Sequence, residues 1–362
     1  MAKKARIGVI GTGGIATYQA RYLQKIAGVQ ILAACDPDSE ALKTFADEFN
    51  VPNVFKSYKQ LVTLHDLDAV IVCTPNILHK APTIAALNSG KHVLVEKPMA
   101  MNARDAQAMV DAATNAKRKL VIGFQYRFTP VAQLVSKAVK AGSFGKILYI
   151  RAQALRRRGI PNWGVFGRKE LQGGGPMIDI GVHILEAAHY IAGRPKPISA
   201  NGSTYRYIGD KPSDVASIWP HWDHKTYNVE DLAIGHVRFE NGTTLTIETS
   251  FAAHIEKDVL GLQIMGEKAG CTIDLANFIG MEGSGNNSEP LQVYTDHMDS
   301  MFTMTPNYIG NEDFFEYKMS HFVECVRDNK NSDAPGEDGL TIQKMIDAIY
   351  RSADIGKEVR IR

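Results

Sequence analysis

What the 362-residue chain lacks narrows its function before any motif is considered. Cysteine is scarce: Cys35, Cys73, Cys271 and Cys325 lie far apart, with no C-x-x-C pair and no histidine at metal-ligand spacing. That pattern argues against a disulfide scaffold and a zinc site, and reduced thiols in a cytoplasmic protein are the plain reading. Neither sign of charge dominates, since 41 Lys plus Arg face 39 Asp plus Glu and leave a formal net charge of +2. A nucleic-acid partner would show as clustered positive charge, so the expected partner is a small molecule. No uninterrupted apolar run reaches the roughly 18 residues a membrane span needs. Lys3-Lys4-Ala5-Arg6 precedes an apolar run as in a signal peptide, but Gly8, Gly11, Gly13 and Gly14 interrupt it and fit a turn better. No internal repeat is visible.

The length predicts about two domains. Arg6 to Ile10 reads as a short apolar strand, and Gly11-Thr12-Gly13-Gly14-Ile15-Ala16 then leads into a helical stretch that ends near Gly28. This is the G-x-G-x-x-A form of the dinucleotide fingerprint. Gly11 allows the tight turn, Gly13 lets pyrophosphate approach the backbone, and Ala16 keeps helix and strand close. The helix N-terminus offers its unpaired amides to phosphate. A second strand, Val29 to Cys35, is followed by Asp36, about twenty residues beyond the glycines as the fingerprint requires. An acid there accepts hydrogen bonds from the adenosine ribose and repels a 2′-phosphate, which favours NAD over NADP. The competing role for Asp36 is to cap the helix predicted from Ser39 to Phe49.

Two further strands end in chemistry-bearing turns: Ala69 to Cys73 runs into Thr74-Pro75-Asn76 with His79, and His92 to Val95 runs into Glu96-Lys97-Pro98. In a doubly wound parallel sheet, ligands sit off the carboxyl ends of the strands, so both turns line one crevice. Helix Ala103 to Ala116 and strand Leu120 to Phe124 complete the first domain. The pattern then changes, with a helix from about Pro130 to Ala141, an alternating strand from Lys146 to Leu155, and strands around an Asn241-Gly242 hairpin turn. More strands are expected at Gly261 to Met265 and Thr272 to Leu275, an exposed loop at Gly280 to Pro290, and a last amphipathic helix from about Gly339 to Ala353. The expected architecture is α/β: an N-terminal Rossmann domain over residues 1–125, and an α+β domain over 126–362 with a large, mostly antiparallel open sheet.

The second domain contains Gly173-Gly174-Gly175-Pro176-Met177-Ile178-Asp179-Ile180-Gly181-Val182-His183. On a helix, Asp179 and His183 stand four residues apart on one face. A carboxylate beside a histidine fixes the ring tautomer and stabilises the imidazolium, which makes the pair a proton-transfer device. Lys97, held at a strand end before a proline, stabilises negative charge developing on a substrate oxygen. The alternative readings are a buried structural histidine, a helix-terminal carboxylate and a surface lysine. Tyr126 and Arg127, which follow the last Rossmann strand and could meet substrate or nicotinamide, and the loop Arg156 to Gly164 add weaker candidates. Arg156 offers hydrogen bonds to hydroxyls and Trp163 a stacking face for a sugar ring, against packing and a solvated basic turn. His221-Trp222-Asp223-His224 does not read as a metal site, because neighbours in a strand face opposite ways.

With these segments placed, the chain resembles the Gfo/Idh/MocA oxidoreductases. The matching pieces are Gly11 to Ala16, Thr74-Pro75-Asn76 with His79, Glu96-Lys97-Pro98, Gly123-Phe124-Gln125-Tyr126-Arg127-Phe128, Gly174 to His183, and Asp347 to Ala353, in the family's order. The resemblance implies a hydride transfer between NAD(P) and a ring carbon of an inositol or pyranose sugar, with Lys97, Asp179 and His183 as the catalytic set. It also implies cofactor contacts from Gly11, Thr12, Gly13, Gly14, Ile15, Asp36, Thr74, Asn76, His79, Glu96, Lys97 and Gln125. Substrate contacts fall to Lys97, Tyr126, Arg156, Trp163, Asp179 and His183, no metal is needed, and the C-terminal sheet makes a dimer or tetramer. Glu186 departs from the aspartate of many relatives. Two rivals stay open: an NAD-dependent glycosidase that oxidises its sugar transiently, and a non-catalytic nucleotide-sensing regulator.

Overall fold

The computed structural model describes residues 4–217, 219, 221–278, 289–307 and 313–362. The chain divides into two units, residues 1–128 with 312–343 and residues 129–311 with 344–362. The change of pattern expected after residue 125 thus falls at Phe128. The first unit also takes back a later segment, which a single cut cannot express.

Six short strands form the sheet of the first unit: β1 (Ala5–Ile10), β2 (Val29–Cys35), β3 (Asn53–Phe55), β4 (Ala69–Val72), β5 (His92–Val95) and β6 (Leu120–Ile122). Every pairing is parallel and the order is β3-β2-β1-β4-β5-β6. Parallel strands covered by helices on both faces read as continuous apolar runs, and every residue of β4 and β6 is buried. The strand order reverses between β1 and β4, so the turns after these two strands lie side by side at the switch point where such sheets bind ligands. Residues Ala334 and Pro335 cover the free edge of β6: the Ile122 N–H donates to the Ala334 carbonyl at 2.9 Å, and Val121 bridges Pro335. Arg127 is fully buried beside them, 2.7 Å from Asp338, and also donates to the carbonyl of Asp333. This pair ties segment 312–343 to the end of the Rossmann sheet.

The second unit is built on β7 (Ile147–Leu155), β8 (Pro197–Tyr205), β9 (Leu232–Phe239), β10 (Thr244–Ser250), β11 (Val259–Gly266), β12 (Ala269–Asp274), β13 (Leu291–His297), β14 (Ser300–Met304) and β15 (Val359–Arg360). Their order is β14-β13-β12-β11-β7-β10-β9-β8-β15, antiparallel except for β7 beside β10. The Asn241-Gly242 hairpin forms as expected, with Gly242 at φ +86° and the Asn241 side chain accepting from the Thr243 N–H. One face of the sheet carries helix Val182–Ile191, which is buried along its whole length, and Ile349 of helix Gly336–Ile355 packs against Gly202 and Gly235. The opposite face is open among the described residues, with Arg151 paired to Glu248 and with Ile234, Met265 and Tyr294 exposed. Strands β3, β8, β13, β14 and β15 were not expected. Most of the loop expected at residues 280–290 lies outside the described residues.

Removing one partner of a buried ion pair leaves the other charge without compensation, at a cost of about 3–5 kcal/mol. Asp338→Ala is therefore expected to lower the first urea-unfolding transition by about that amount. A wild-type midpoint would show that Arg127 does not hold the returning segment.

Candidate active site

In the first unit the glycine turn is shaped by its neighbours. Gly11 has φ +86°, and a Cβ there would lie 2.7 Å from the Cys73 carbonyl at the end of β4, so only glycine fits. Thr12 is buried behind the turn and donates to Asp36 Oδ2 through its N–H at 2.8 Å and through its hydroxyl at 3.1 Å. Gly13 and Gly14 differ, since a Cβ at either position would meet nothing within 4 Å among the described residues. Helix Gly14–Leu23 starts there with no side-chain cap and no acid in its first turn, and Ile15 stands exposed. Open backbone, uncapped amides and the absence of an acid from the first helical turn fit a pyrophosphate. Asp38, not Asp36, caps helix Ser39–Phe49 by accepting from the Glu40 and Ala41 N–H groups. Asp36 instead ties the end of β2 to the glycine turn.

The turns after β4 and β5 are joined by His79. It is buried, with Nδ1 2.8 Å from the Pro98 carbonyl and Nε2 2.8 Å from the Thr74 carbonyl. The two carbonyls favour the imidazolium, burial opposes it, and burial prevails, so the pKa falls below the ordinary histidine value. His79 holds the two loops together, while Asn76 is buried in the loop beside it. Lys97 is half-buried, two residues past the end of β5, and forms a cis peptide with Pro98.

Glu96 points away from solvent. Its Oε1 accepts from the Lys318 ammonium at 3.1 Å and from the Gln19 amide, and its Oε2 accepts from the Lys97 N–H at 3.2 Å. Gly123 makes room for it, since a Cβ there would lie 2.6 Å from Glu96 Oε1. Glu96 therefore fixes the backbone that carries Lys97. Gln19 and Lys318 had no place in the sequence reading. Lys318 does leave a signal, because it is a charged residue on the apolar stripe that Phe315, Phe322 and Cys325 mark on helix Phe314–Arg327. Gln125 is half-buried, and Tyr126 is buried edge-on to Phe314 at 6.4 Å.

In the second unit Gly173 ends a short helix at φ +95°, and the chain then passes under two side chains. A Cβ on Gly174 would lie 2.1 Å from the Tyr350 hydroxyl, and one on Gly175 2.1 Å from the Glu230 carbonyl oxygen. Glycine is needed here because the backbone itself is the bonding surface. The buried Glu230 carboxylate accepts from the Gly175 N–H at 2.9 Å, the Met177 N–H at 3.2 Å and the Tyr350 hydroxyl at 2.7 Å. Burial pushes Glu230 above the usual carboxylate range while these donors pull it back. Burial and the adjacent Glu230 raise the Tyr350 phenol, so it stays protonated and donates.

Past this clamp the backbone makes a π-helical turn, Met177–Gly181, before helix Val182–Ile191. A plain α-helix was expected under Asp179 and His183. The wider turn still brings residues four apart to neighbouring directions, and such turns recur at functional sites. Asp179 and His183 are both buried, at 5% and 7% exposure, which is where a proton-transfer pair is shielded from bulk water. Glu186, one turn on, is fully buried. Glu230 was not recognised from sequence, and Tyr350 only as part of a C-terminal motif. The bend of the loop after β7 is set by Arg156, whose N–H donates to the Ser250 carbonyl and hydroxyl and whose guanidinium donates to Gly159. Trp163 lies farther along the same loop, half exposed.

Residues 5–124 match the model of an oxidoreductase family with an NAD-binding Rossmann fold, Gfo/Idh/MocA, and residues 136–361 match the C-terminal alpha/beta domain of the same family. The D-glucoside 3-dehydrogenase of Escherichia coli K12 is 34% identical over 358 residues, covering 98% of this chain and 97% of that protein. Myo-inositol 2-dehydrogenase of Thermotoga maritima is 27% identical over 364 residues, 98% of each chain. Among solved structures, levoglucosan dehydrogenase in complex with NADH and levoglucosan superposes with a TM-score of 0.84 at 21% identity, over 99% of this chain and all of that one.

Glu230→Gln replaces one acceptor oxygen by a donor facing N–H groups, so it loosens the segment that carries Asp179 and His183. A lost hydrogen bond of about 1.4 kcal/mol corresponds to a tenfold effect. We expect kcat to fall about tenfold or more with NAD affinity unchanged, because the dinucleotide turn lies in the other unit. Equal kcat in mutant and wild type would remove Glu230 from the site.

Proposed function

The chain belongs to the Gfo/Idh/MocA oxidoreductase family, and from that premise we propose an NAD(H)-dependent dehydrogenase that moves a hydride between nicotinamide and a ring carbon of a pyranose sugar or cyclic polyol. The observation that carries this reading is the buried Asp179 and His183 segment, clamped by Glu230, in a chain whose other unit offers an open glycine turn.

Oxidising a secondary alcohol removes the hydroxyl proton and a hydride from its carbon, leaving a ketone, a reduced nicotinamide and one proton. When bound, the cofactor supplies the hydride acceptor. His183 takes the hydroxyl proton as general base, Asp179 orients its ring and stabilises the imidazolium, and Lys97 stabilises charge developing on the substrate oxygen. Glu96 contributes by holding Lys97 through its backbone, and His79 by holding the neighbouring loop. Gly11, Thr12, Gly13, Gly14 and Ile15 form the pyrophosphate turn, and Thr74, Asn76 and Gln125 stand with it in the first unit. Asp36 Oδ1 and Oδ2 already bond protein N–H groups and still present carboxylate charge beside the turn, which favours NAD over NADP. Tyr126, Arg156 and Trp163 are the further substrate contacts.

The name of the Escherichia coli relative supports a glucoside as substrate, and that of the Thermotoga maritima relative supports an inositol. Exposed Ile234, Met265 and Tyr294 on the open sheet support a homodimer or tetramer formed through it. The four buried cysteines, all unbridged, support a cytoplasmic setting.

The test is reduced-nicotinamide absorbance with a panel of glucosides, free sugars and inositols. Wild type is expected to reduce NAD with at least one of them, and Lys97→Ala and His183→Ala to lower kcat by about 100-fold or more. Undiminished turnover by both variants would contradict the assignment, and glycoside cleavage without NADH accumulation would point to a redox-assisted glycosidase instead. Asp36→Ala is expected to weaken NAD about tenfold, as loss of a charge-assisted hydrogen bond would, and NADP far less. Equal losses for both cofactors would contradict the ribose contact.

A further inference from the structure

Arg156 and Trp163 belong to a larger cluster that the reaction itself does not require. Trp163 stacks on Trp219, with ring centroids 5.6 Å apart and planes only 10° from parallel. The Arg156 guanidinium lies 4.4 Å from the centroid of the Trp219 ring, and Gly159 brings the backbone against the same indole, where a Cβ would lie 3.0 Å from Nε1. Phe166 closes one side, edge-on to Trp163 at 5.8 Å. The result is a layered stack of guanidinium and two indoles contributed by two loops far apart in sequence.

This stack is anchored rather than adrift. Below it, Ile160, Tyr227, Val229, Phe251 and Ala252 form a buried cluster, and Arg156 also lies 5.7 Å from the Phe251 ring centroid. Ile180, which sits in the chain between Asp179 and His183, packs against that same cluster. The stack and the proton-transfer segment therefore share one support within the second unit. Yet Trp163 keeps 51% of its surface exposed. A large aromatic held in fixed geometry with half its surface in water has a face free to stack on a ligand ring.

We propose that the exposed face of Trp163, backed by Trp219 and Arg156, forms an aglycone subsite that stacks on a second ring joined through a glycosidic oxygen to the sugar being oxidised. The inference rests on the dehydrogenase reading and narrows its substrate from sugars in general to glycosides with a ring-bearing aglycone. An indole face suits the C–H face of a pyranose and the face of an aryl ring alike, and a free monosaccharide or inositol has only one ring to offer. Binding energy from such a remote ring is available to orient the reacting carbon.

The experiment compares kcat/KM for methyl β-D-glucoside, phenyl β-D-glucoside and a glucose disaccharide in wild type, Trp163→Ala and Trp219→Phe. The ring-bearing substrates are expected to exceed the methyl glucoside about tenfold in wild type, the phenyl and disaccharide arms separating aryl from sugar recognition. Trp163→Ala is expected to bring the ratio close to one, and Trp219→Phe, which keeps an aromatic ring, to retain part of it. A wild-type ratio near one, or a ratio unchanged in Trp163→Ala, overturns the subsite while leaving the dehydrogenase reading intact. If no glucoside, free sugar or inositol is oxidised, that reading fails instead. The subsite is then judged by quenching of tryptophan fluorescence with phenyl β-D-glucoside, where equal quenching in wild type and Trp163→Ala overturns it.

Discussion

The second unit depends on one buried carboxylate. Glu230 accepts from two backbone N–H groups and a tyrosine hydroxyl, and so converts a glycine run, which on its own is the most pliable kind of chain, into a fixed lead-in for Asp179 and His183. A buried charge of this kind is tolerated only when its lone pairs are satisfied. That demand explains the sequence around it: Gly174 and Gly175 leave room for Tyr350 and Glu230 to reach the backbone, and any larger residue would push them off.

The first unit repeats the device with different groups. Glu96 is buried against Lys318 and Gln19 and reaches the Lys97 N–H, as Glu230 reaches Gly175. In the first unit the inward-facing carboxylate holds the backbone of Lys97 itself, and in the second it holds Gly175 and Met177, just ahead of Asp179 and His183. Rigid support of this sort keeps reacting groups within the small tolerance that proton and hydride transfer require. The acid of the Glu96-Lys97-Pro98 motif thus has a positioning task, and the electrostatic role proposed for the motif falls to the lysine beside it.

Much of this was legible in the sequence because it rests on local rules. The glycine fingerprint, the apolar parallel strands and the Asn-Gly hairpin each follow from steric or periodic constraints spanning a few residues. What escaped depends on distant partners. Glu230 and Tyr350 are 120 residues apart, and Glu96 and Lys318 are 222 apart. Nothing in either neighbourhood announces the other. Strands β13 and β14 mix apolar and polar residues without a buried face to give them a clear period, and β14 is exposed throughout, Met301, Phe302 and Met304 included. The return of residues 312–343 to the Rossmann sheet is set by the Arg127–Asp338 pair and the edge of β6, neither of which has a sequence period. The π-helical turn was likewise hidden, since a π-helical turn and an α-helix place apolar residues almost alike.

The central claim is that a ring carbon gives its hydride to nicotinamide while the proton leaves through the protein. The most direct measurement uses methyl β-D-glucoside deuterated at every ring carbon, with NAD and wild-type enzyme, followed by mass spectrometry of the reduced cofactor. The account predicts reduced nicotinamide that carries one deuterium taken from the sugar. Reduced cofactor free of deuterium, or sugar consumed with no cofactor reduced, would contradict it.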